Sequence, residues 1–401
     1  MSVPNGAEWL QVFLGLLSAG AVPAPIDSSE PEAAQVDTAL SIGATHLWRE
    51  GSLRELGASS PARVRTHECL VKLTSASTGA SRGLSATHAQ MAADGRQICT
   101  TMGISPFDLN LACIPLGYSY GLGNLVLPLI LQGTPFLCAS SVLPQALASD
   151  VARFGPTVFP TVPPVLRALA SSGVEARSLA SLRLVICAGS PLEPETARAF
   201  ESKFGTRVHG FYGTSETGGV AYDRTGAATL EGRSVGTALD GVTLRKGRAG
   251  RFVISGAAVL GKGRFSPADK ARIGRDRELV LLGRTDRMVK IAGRRMDLSE
   301  IERALKALPG VRDAQAHLIA GPEPFLAAAA LSKLPAPEIR RSLRGRLASW
   351  KIPTRLVAVA QFPTTSRGKP DGRKLRQILS APRTDTSIST LSAARQMSAP
   401  R

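Results

Sequence analysis

The sequence has little with which to staple or anchor itself. Its five cysteines, Cys69, Cys99, Cys113, Cys138 and Cys187, form no C-x-x-C pair, and their odd number argues against a disulfide framework. A reducing, cytoplasmic setting is expected instead. The glycine-rich Walker pattern G-x-x-x-x-G-K-[ST] is absent. So are zinc-finger spacings, RNA-binding aromatic motifs and basic helices, so nucleic acid is not expected as a partner. Only residues 9–26 come near the length of a membrane span or a leader. Glu8 precedes that run, no basic stretch does, and Pro23 and Pro25 interrupt its end. It reads as a core helix over 9–19 and a buried strand over 21–26, so no membrane span is expected. Acidic side chains are scarce as well: 31 Asp+Glu stand against 49 Lys+Arg, a net charge of +18. The basic residues are scattered, which fits either a phosphate-bearing or acidic partner or simply an arginine-rich composition.

What is present suits a globular protein: 401 residues, 43% hydrophobic and 20% charged, too long for one ordinary core. Short apolar runs at 21–26, 111–115, 134–139, 157–160 and 182–188 alternate with helical patterns such as 163–171 and 193–204. That alternation predicts an α/β domain with buried sheets. From 235 to 282 the pattern turns short, glycine-punctuated and strand-like, as at 250–255 and 278–282, and reads as a small β subdomain. Beyond Gly283 a compact α+β module is expected. Its helix over 297–308 has Asp297 as N-cap and Glu300 three residues on. Strands follow at 314–319 and 326–331, a helix at 337–349, a strand at 354–360, and a short helix ending at 379. The boundaries expected are a large domain over 1–283, a hinge at 284–287, a small domain over 288–380 and a disordered tail over 381–401, rich in Ser, Thr, Ala and Arg.

Four segments have residues suited to chemistry. Residues 73–83 read L-T-S-A-S-T-G-A-S-R-G. Successive backbone N–H groups in such a turn cradle an anion, hydroxyls add donors, and Arg82 offers a bidentate fork for phosphate. Alone, such a stretch is more often a solvated loop. Residues 209–219, H-G-F-Y-G-T-S-E-T-G-G, pair an aromatic able to stack on a purine with hydroxyls and one carboxylate able to hold Mg²⁺. Alone, this is more often a strand end with a core tyrosine. Residues 283–295, G-R-T-D-R-M-V-K-I-A-G-R-R, sit where the composition changes and read as a domain hinge followed by a hairpin. Residues 362–371, F-P-T-T-S-R-G-K-P-D, put a lysine on a Gly/Pro loop before a helix, and most such lysines are solvated.

Their order and spacing resemble the adenylate-forming superfamily, which includes acyl-CoA synthetases, luciferases and the adenylation domains of peptide synthetases. The resemblance covers about residues 5 to 379. It implies a large N-terminal α/β domain with a small mobile α+β C-terminal domain. By residue-wise match, Thr74, Ser75, Ser77, Thr78, Gly79 and Arg82 fall on the phosphate loop, and Gly189 and Ser190 on the turn beside adenine and acyl group. Tyr212, Gly213 and Ser215 fall on the adenine motif, with Glu216 as the Mg²⁺ ligand. Asp269 and Arg284 take the ribose positions, Asp286 the hinge and Lys369 the adenylating lysine. Tyr118 and Gly293 lie on the acyl and thiol side. The chain departs from the pattern at Ala76, in place of a loop glycine, at Arg82, in place of lysine, and at Tyr118, where many acyl-CoA synthetases have histidine. Residues 9–27 resemble a segment that in the family follows a further portion of the first subdomain, so part of that region is expected to be missing.

The implied activity is ATP-dependent conversion of a carboxylic acid to an acyl-adenylate, then transfer to a thiol. The cofactors implied are ATP, Mg²⁺ and coenzyme A. Two alternatives stand beside it. One is a ligase that loads the phosphopantetheine of an acyl carrier protein, and the +18 charge suits that acceptor as well as coenzyme A. The other is a degenerate nucleotide-binding homologue without catalysis, suggested by Ala76 and the short start.

Overall fold

The computed structural model describes the chain except residues 31, 59, 76–80, 248–249, 275, 285–286, 292–293, 321–323, 345, 348, 366–369 and 382–401. The chain divides into two compact units, Met1–Leu282 and Gly283–Arg401.

The first unit is organised by a seven-stranded sheet. Its order is Thr237–Ala238, Gly218–Tyr222, Val208–Thr214, Leu184–Cys187, Val158–Thr161, Asn110–Ala112 and Phe136–Cys138. From Val208–Thr214 to Phe136–Cys138 all neighbours are parallel, and Gly218–Tyr222 turns back antiparallel on Val208–Thr214. The strands are short and apolar on both sides because both faces are covered. Alternation sends Phe159, Val185 and Cys187 into a core with Leu147, Leu166, Leu169 and Phe200. These come from the helices Pro144–Phe154, Pro163–Ser171 and Pro194–Phe204, each opened by a proline whose missing N–H costs nothing there. Val158, Leu184 and Ile186 face the other way, onto Ile98 and Met102 of the helix His88–Met102. That helix starts with a reciprocal capping box between Thr87 and Gln90.

A polar staple holds the N-terminal ends of three adjacent parallel strands. Asp108 lies just before Asn110–Ala112, Thr157 just before Val158–Thr161, and Arg183 just before Leu184–Cys187. Arg183 donates Nε to Asp108 Oδ1 at 2.7 Å and Nη2 to Oδ2 at 2.6 Å. The Ser105 amide donates to Oδ2 at 2.8 Å, and the Thr157 hydroxyl to Oδ1 at 2.8 Å. Burial alone would push the Asp108 carboxyl up. The Arg183, Ser105 and Thr157 donors outweigh it and hold the group below the usual carboxylate range.

Around this sheet lie an antiparallel hairpin, Glu68–Ser75 with Ser81–Thr87, and a small sheet of Thr243–Lys246, Phe252–Ser255 and Arg264–Phe265. The second unit has a sheet in which Phe325–Ser332 pairs antiparallel with Val311–Ile319 and parallel with Arg355–Val359. Its centre is the buried run Ala327, Ala328, Ala329 and Ala330. Ala328 and Ala330 pack with Ile301, Leu305, Ile339 and Leu343. Ala327 and Ala329 pack with Phe362, Leu375 and Leu379, so the small side chains let helices close on both faces.

Three expectations from the sequence changed. Residues 21–26 are extended but form no strand. Pro23 and Pro25 lack donors, and the segment is held by scattered bonds: Ala21 N to Leu16 O, Val71 N to Pro23 O, the Met1 amino group to Ala24 O and Ile26 N to Met1 O. The helix expected over 337–349 is Ala336–Leu343, with a separate turn at Ser349–Lys351. Asp297 caps Leu298–Lys306 as expected, accepting from Ser299 N, but Glu300 turns to Lys351 at 2.6 Å instead of closing a capping box.

Asp108→Ala is expected to make the first unit about 2–4 kcal/mol less stable in urea unfolding, by orphaning the Ser105 and Thr157 donors and Arg183. The Asp108 pKa is depressed in the fold, so its contribution is full above the unfolded carboxylate value of about 4 and fades as pH falls below it. An Asp108→Ala protein as stable as the parent at pH 7 contradicts this. In the second unit, burial, with Arg287 and Arg376, pulls His317 from 6.5 down to about 4. The folded unit therefore holds the neutral ring, and its stability is expected to fall as pH drops from 6.5 towards 4. A His317→Gln variant with the same pH dependence contradicts that.

Candidate functional site

The C-terminal ends of two of the parallel strands carry Gly189, Ser190, Tyr212, Gly213, Ser215 and Glu216 among the sequence-predicted residues. Open α/β sheets present ligand crevices at this end because the faces are sealed by helices. Leu184–Cys187 runs into Ala188 and then the exposed Gly189 and Ser190, with Gly189 at φ 92°. Val208–Thr214 carries Tyr212 and the exposed Gly213 at its end, followed by Ser215 and Glu216 in the turn to Gly218–Tyr222. A Cβ on Gly213 would meet the Gly218 carbonyl oxygen at 2.5 Å, so only glycine lets the two strands close here.

The turn is tied on several sides. Thr217 Oγ1 accepts from Thr214 N at 3.3 Å, and Leu260 N donates to the Glu216 carbonyl at 2.9 Å. Gly218 adopts φ +68°, and a Cβ there would fall 2.2 Å from Asp94 Oδ1. The Glu216 side chain is half-buried. Among the described residues no group of three or more His, Cys, Asp or Glu could hold a metal ion. A hard cation at Glu216 would find fewer than three such side chains among the described residues and would draw on phosphate oxygens and water as well.

Tyr212 and Asp269, 57 residues apart, meet directly: the tyrosine hydroxyl donates to Asp269 Oδ2 at 2.8 Å. The Tyr212 ring leans on Phe252, 6.5 Å between centroids and 48° between planes. Both Tyr212 and Asp269 are half-buried. The phosphate-loop candidates stand on the hairpin Glu68–Ser75 and Ser81–Thr87, where Thr74 pairs with Arg82 and Ser75 with Ser81. Thr74 Oγ1 donates to the Arg82 carbonyl at 3.4 Å, and the Arg82 side chain is exposed. Ser77, Thr78 and Gly79, with Ala76, lie outside the described residues. Tyr118 donates to Asp27 Oδ2 at 2.5 Å, and Asp27 Oδ1 accepts from Ser29 N at 3.0 Å.

In the second unit Arg284 ends the strand Leu279–Arg284, and nothing of its side chain is described. Asp286, Gly293 and Lys369 lie outside the described residues. The following helix begins at Gly372, with Asp371 capping Arg373 N and Lys374 N at 3.0 and 3.1 Å.

Three polar residues at this site were not found from the sequence. Asp27 ends the segment 9–27, which was read for its apolar run and its family resemblance but given no role at the site. Lys72 sits inside C-L-V-K-L, and Asp94 inside an alanine-rich helix. A lysine two positions before a phosphate-loop pattern, on the parity of Leu70 and Thr74, was the available signal.

Comparison with known proteins agrees with this geometry. A feruloyl-CoA synthase of Amycolatopsis sp is 26% identical over 334 residues, covering 75% of this chain and 68% of that protein. A sulfoacetate–CoA ligase of Cupriavidus necator is 26% identical over 444 residues, covering 93% of this chain and 86% of that protein. The ATP-bound MatB of Rhodopseudomonas palustris superposes with a TM-score of 0.78 at 20% identity, over 94% of this chain and 87% of that one, which shows the fold. The family model for AMP-binding enzymes matches residues 37–247, more than half of the chain, and with Tyr212, Glu216 and the hairpin of Thr74 and Arg82 all inside that match, the chain belongs to the AMP-binding enzyme family.

Proposed function

We propose that this protein activates a carboxylic acid with ATP and passes the acyl group to a thiol, with coenzyme A as the acceptor. The observation that carries the reading is the Tyr212–Asp269 hydrogen bond. It sets an aromatic ring beside a carboxylate, on the strand that leads into the turn of Glu216.

In this reading Tyr212 covers adenine, with Gly213, Gly189 and Ser190 bordering it. Asp269 and Arg284 take the ribose hydroxyls. Thr74, Ser75, Ser77, Thr78, Gly79, Ser215 and Arg82 hold the phosphates that depart. Glu216 is the protein ligand for Mg²⁺, which neutralises charge on the phosphate oxygens. A carboxylate oxygen of the acid attacks the α-phosphorus, and the bond to the bridging oxygen breaks with loss of pyrophosphate. The Lys369 ammonium meets the charge that builds on the α-phosphate, a contribution on the order of 3–4 kcal/mol for one preorganised donor. In the second step the thiolate sulfur attacks the acyl carbonyl, and AMP leaves with the electron pair of the broken C–O bond. Asp286 is the pivot by which the small domain exchanges Lys369 for the face near Gly293. Tyr118, held by Asp27, lies on the acyl side.

The experiment is incubation of the protein with ATP, Mg²⁺, a panel of carboxylic acids and coenzyme A, with mass spectrometry of the products. AMP and an acyl-thioester formed together support the reading. Hydrolysis of ATP to ADP, or no acid-dependent AMP, refutes it. The net charge of +18 also suits an acidic carrier protein, and direct competition between coenzyme A and a phosphopantetheinylated carrier decides the acceptor.

Asp269→Ala is expected to weaken ATP binding at least tenfold by calorimetry, since each charge-assisted bond lost is worth about 1.5–3 kcal/mol. Tyr212→Phe keeps the ring and is expected to cost far less. Equal affinity for Asp269→Ala and the parent refutes the ribose assignment. Lys369→Ala is expected to abolish acyl-adenylate formation while leaving thiol transfer from a supplied acyl-adenylate largely intact. Single-turnover assays of each half-reaction check this, and equal loss in both contradicts the role assigned to Lys369.

A further inference from the structure

The most deeply buried charges of the first unit lie beside the phosphate-loop hairpin. Lys72 is 2% exposed on the strand Glu68–Ser75, and Asp94 is 1% exposed on the helix His88–Met102. The Lys72 ammonium lies 4.0 Å from Asp94 Oδ2. That spacing is too long for a direct hydrogen bond and leaves a charge–charge contact. Asp94 Oδ2 is buried and has no hydrogen-bond partner, so the ammonium is the charge that answers it. The other oxygen, Oδ1, accepts from Gly219 N at 2.9 Å.

Each partner reaches a different part of the candidate site. Lys72 and Thr74 share a face of their strand, and Arg82 stands opposite Thr74, so all three occupy one side of the hairpin. Gly219 lies three residues beyond Glu216, at the end of the turn that Gly213 and Gly218 close. Burial pulls Lys72 below its ordinary value and pushes Asp94 above its own. Their mutual attraction opposes both shifts, and Cys69 and Glu216 also favour the charged Lys72. Burying two charges in this way is expensive, and a pair of apolar side chains would serve stability as well or better. The cost calls for another return.

We propose that Lys72 and Asp94 are a positioning pair that fixes the hairpin of Thr74 and Arg82 against the turn of Glu216, so that the phosphate-binding donors and the magnesium-binding carboxylate meet ATP in register. This rests on the functional reading above, because the register matters only if a triphosphate spans the two elements. The pair itself touches neither substrate nor metal. Its effect falls on ATP and leaves the acid alone.

The double variant Lys72→Met/Asp94→Asn removes both charges without stranding either, and Asn Oδ1 still accepts from Gly219. It is expected to melt near the parent, to bind ATP at least tenfold more weakly by calorimetry, and to raise the KM for ATP by a similar factor. The KM for the acid is expected to stay within twofold. A double variant that melts like the parent and binds ATP within twofold of it overturns the proposal, since the pair would then be structural. If the double variant does not fold, the near-isosteric Asp94→Asn decides: a threefold or greater loss of ATP affinity supports the proposal, and a smaller one overturns it. A parent that binds ATP but makes no acyl-adenylate with any acid refutes the functional reading, while the affinity ratio still judges the pair. A parent that binds no ATP overturns both.

Discussion

A parallel sheet covered by helices on both faces leaves its strand ends as the places where polar chemistry can stand. In this protein the two ends are used differently. The N-terminal ends of three adjacent strands are closed by Asp108, with donors from Arg183, Thr157 and Ser105 saturating its carboxylate. The C-terminal ends stay open and carry Gly189, Tyr212 and the Glu216 turn. One end is rigid because its polar groups are satisfied internally. The other presents the exposed Gly189, Ser190 and Gly213 beside Tyr212 and Glu216, at the end where such sheets bind ligands, as suits an AMP-forming acid–thiol ligase in the AMP-binding enzyme family.

The legible part of the sequence was the part fixed by local chemistry. Prolines at 163 and 194 and the glycine at 205 bound helices that hydrophobic spacing already suggested. The alternation from 158 to 187 gave the buried strands. Ordered motifs singled out Tyr212, Glu216 and Asp269 as candidates, and the fold puts the Tyr212 hydroxyl on the Asp269 carboxylate. What could not be read was long-range. Nothing local says that the Tyr212 hydroxyl finds Asp269, or that Tyr118 finds Asp27. The strand expected at 21–26 failed because apolar character was weighed above the missing N–H groups of Pro23 and Pro25.

Lys72 and Asp94 illustrate the same limit from the side of charge. In sequence each looks like a solvated residue near an apolar run. In the fold they are among the least exposed charged side chains, and one of them bonds to the backbone of the turn that carries Glu216. Polar groups are placed in a core at a cost in desolvation, so their location reports where geometry has to be kept. Lys72 stands on the hairpin proposed for phosphate, and Asp94 holds the backbone just past the turn proposed for metal, so the proposal ties the packing of this domain to its chemistry.

The central claim is that the site forms an acyl-adenylate reversibly from an acid and ATP. Exchange of labelled pyrophosphate into ATP, measured with and without each member of a carboxylic acid panel, tests it most directly. The expected result is exchange that requires both the acid and Mg²⁺ and that disappears in Lys369→Ala. Exchange that is absent with every acid in a folded, ATP-binding protein, or that persists undiminished in Lys369→Ala, contradicts the account.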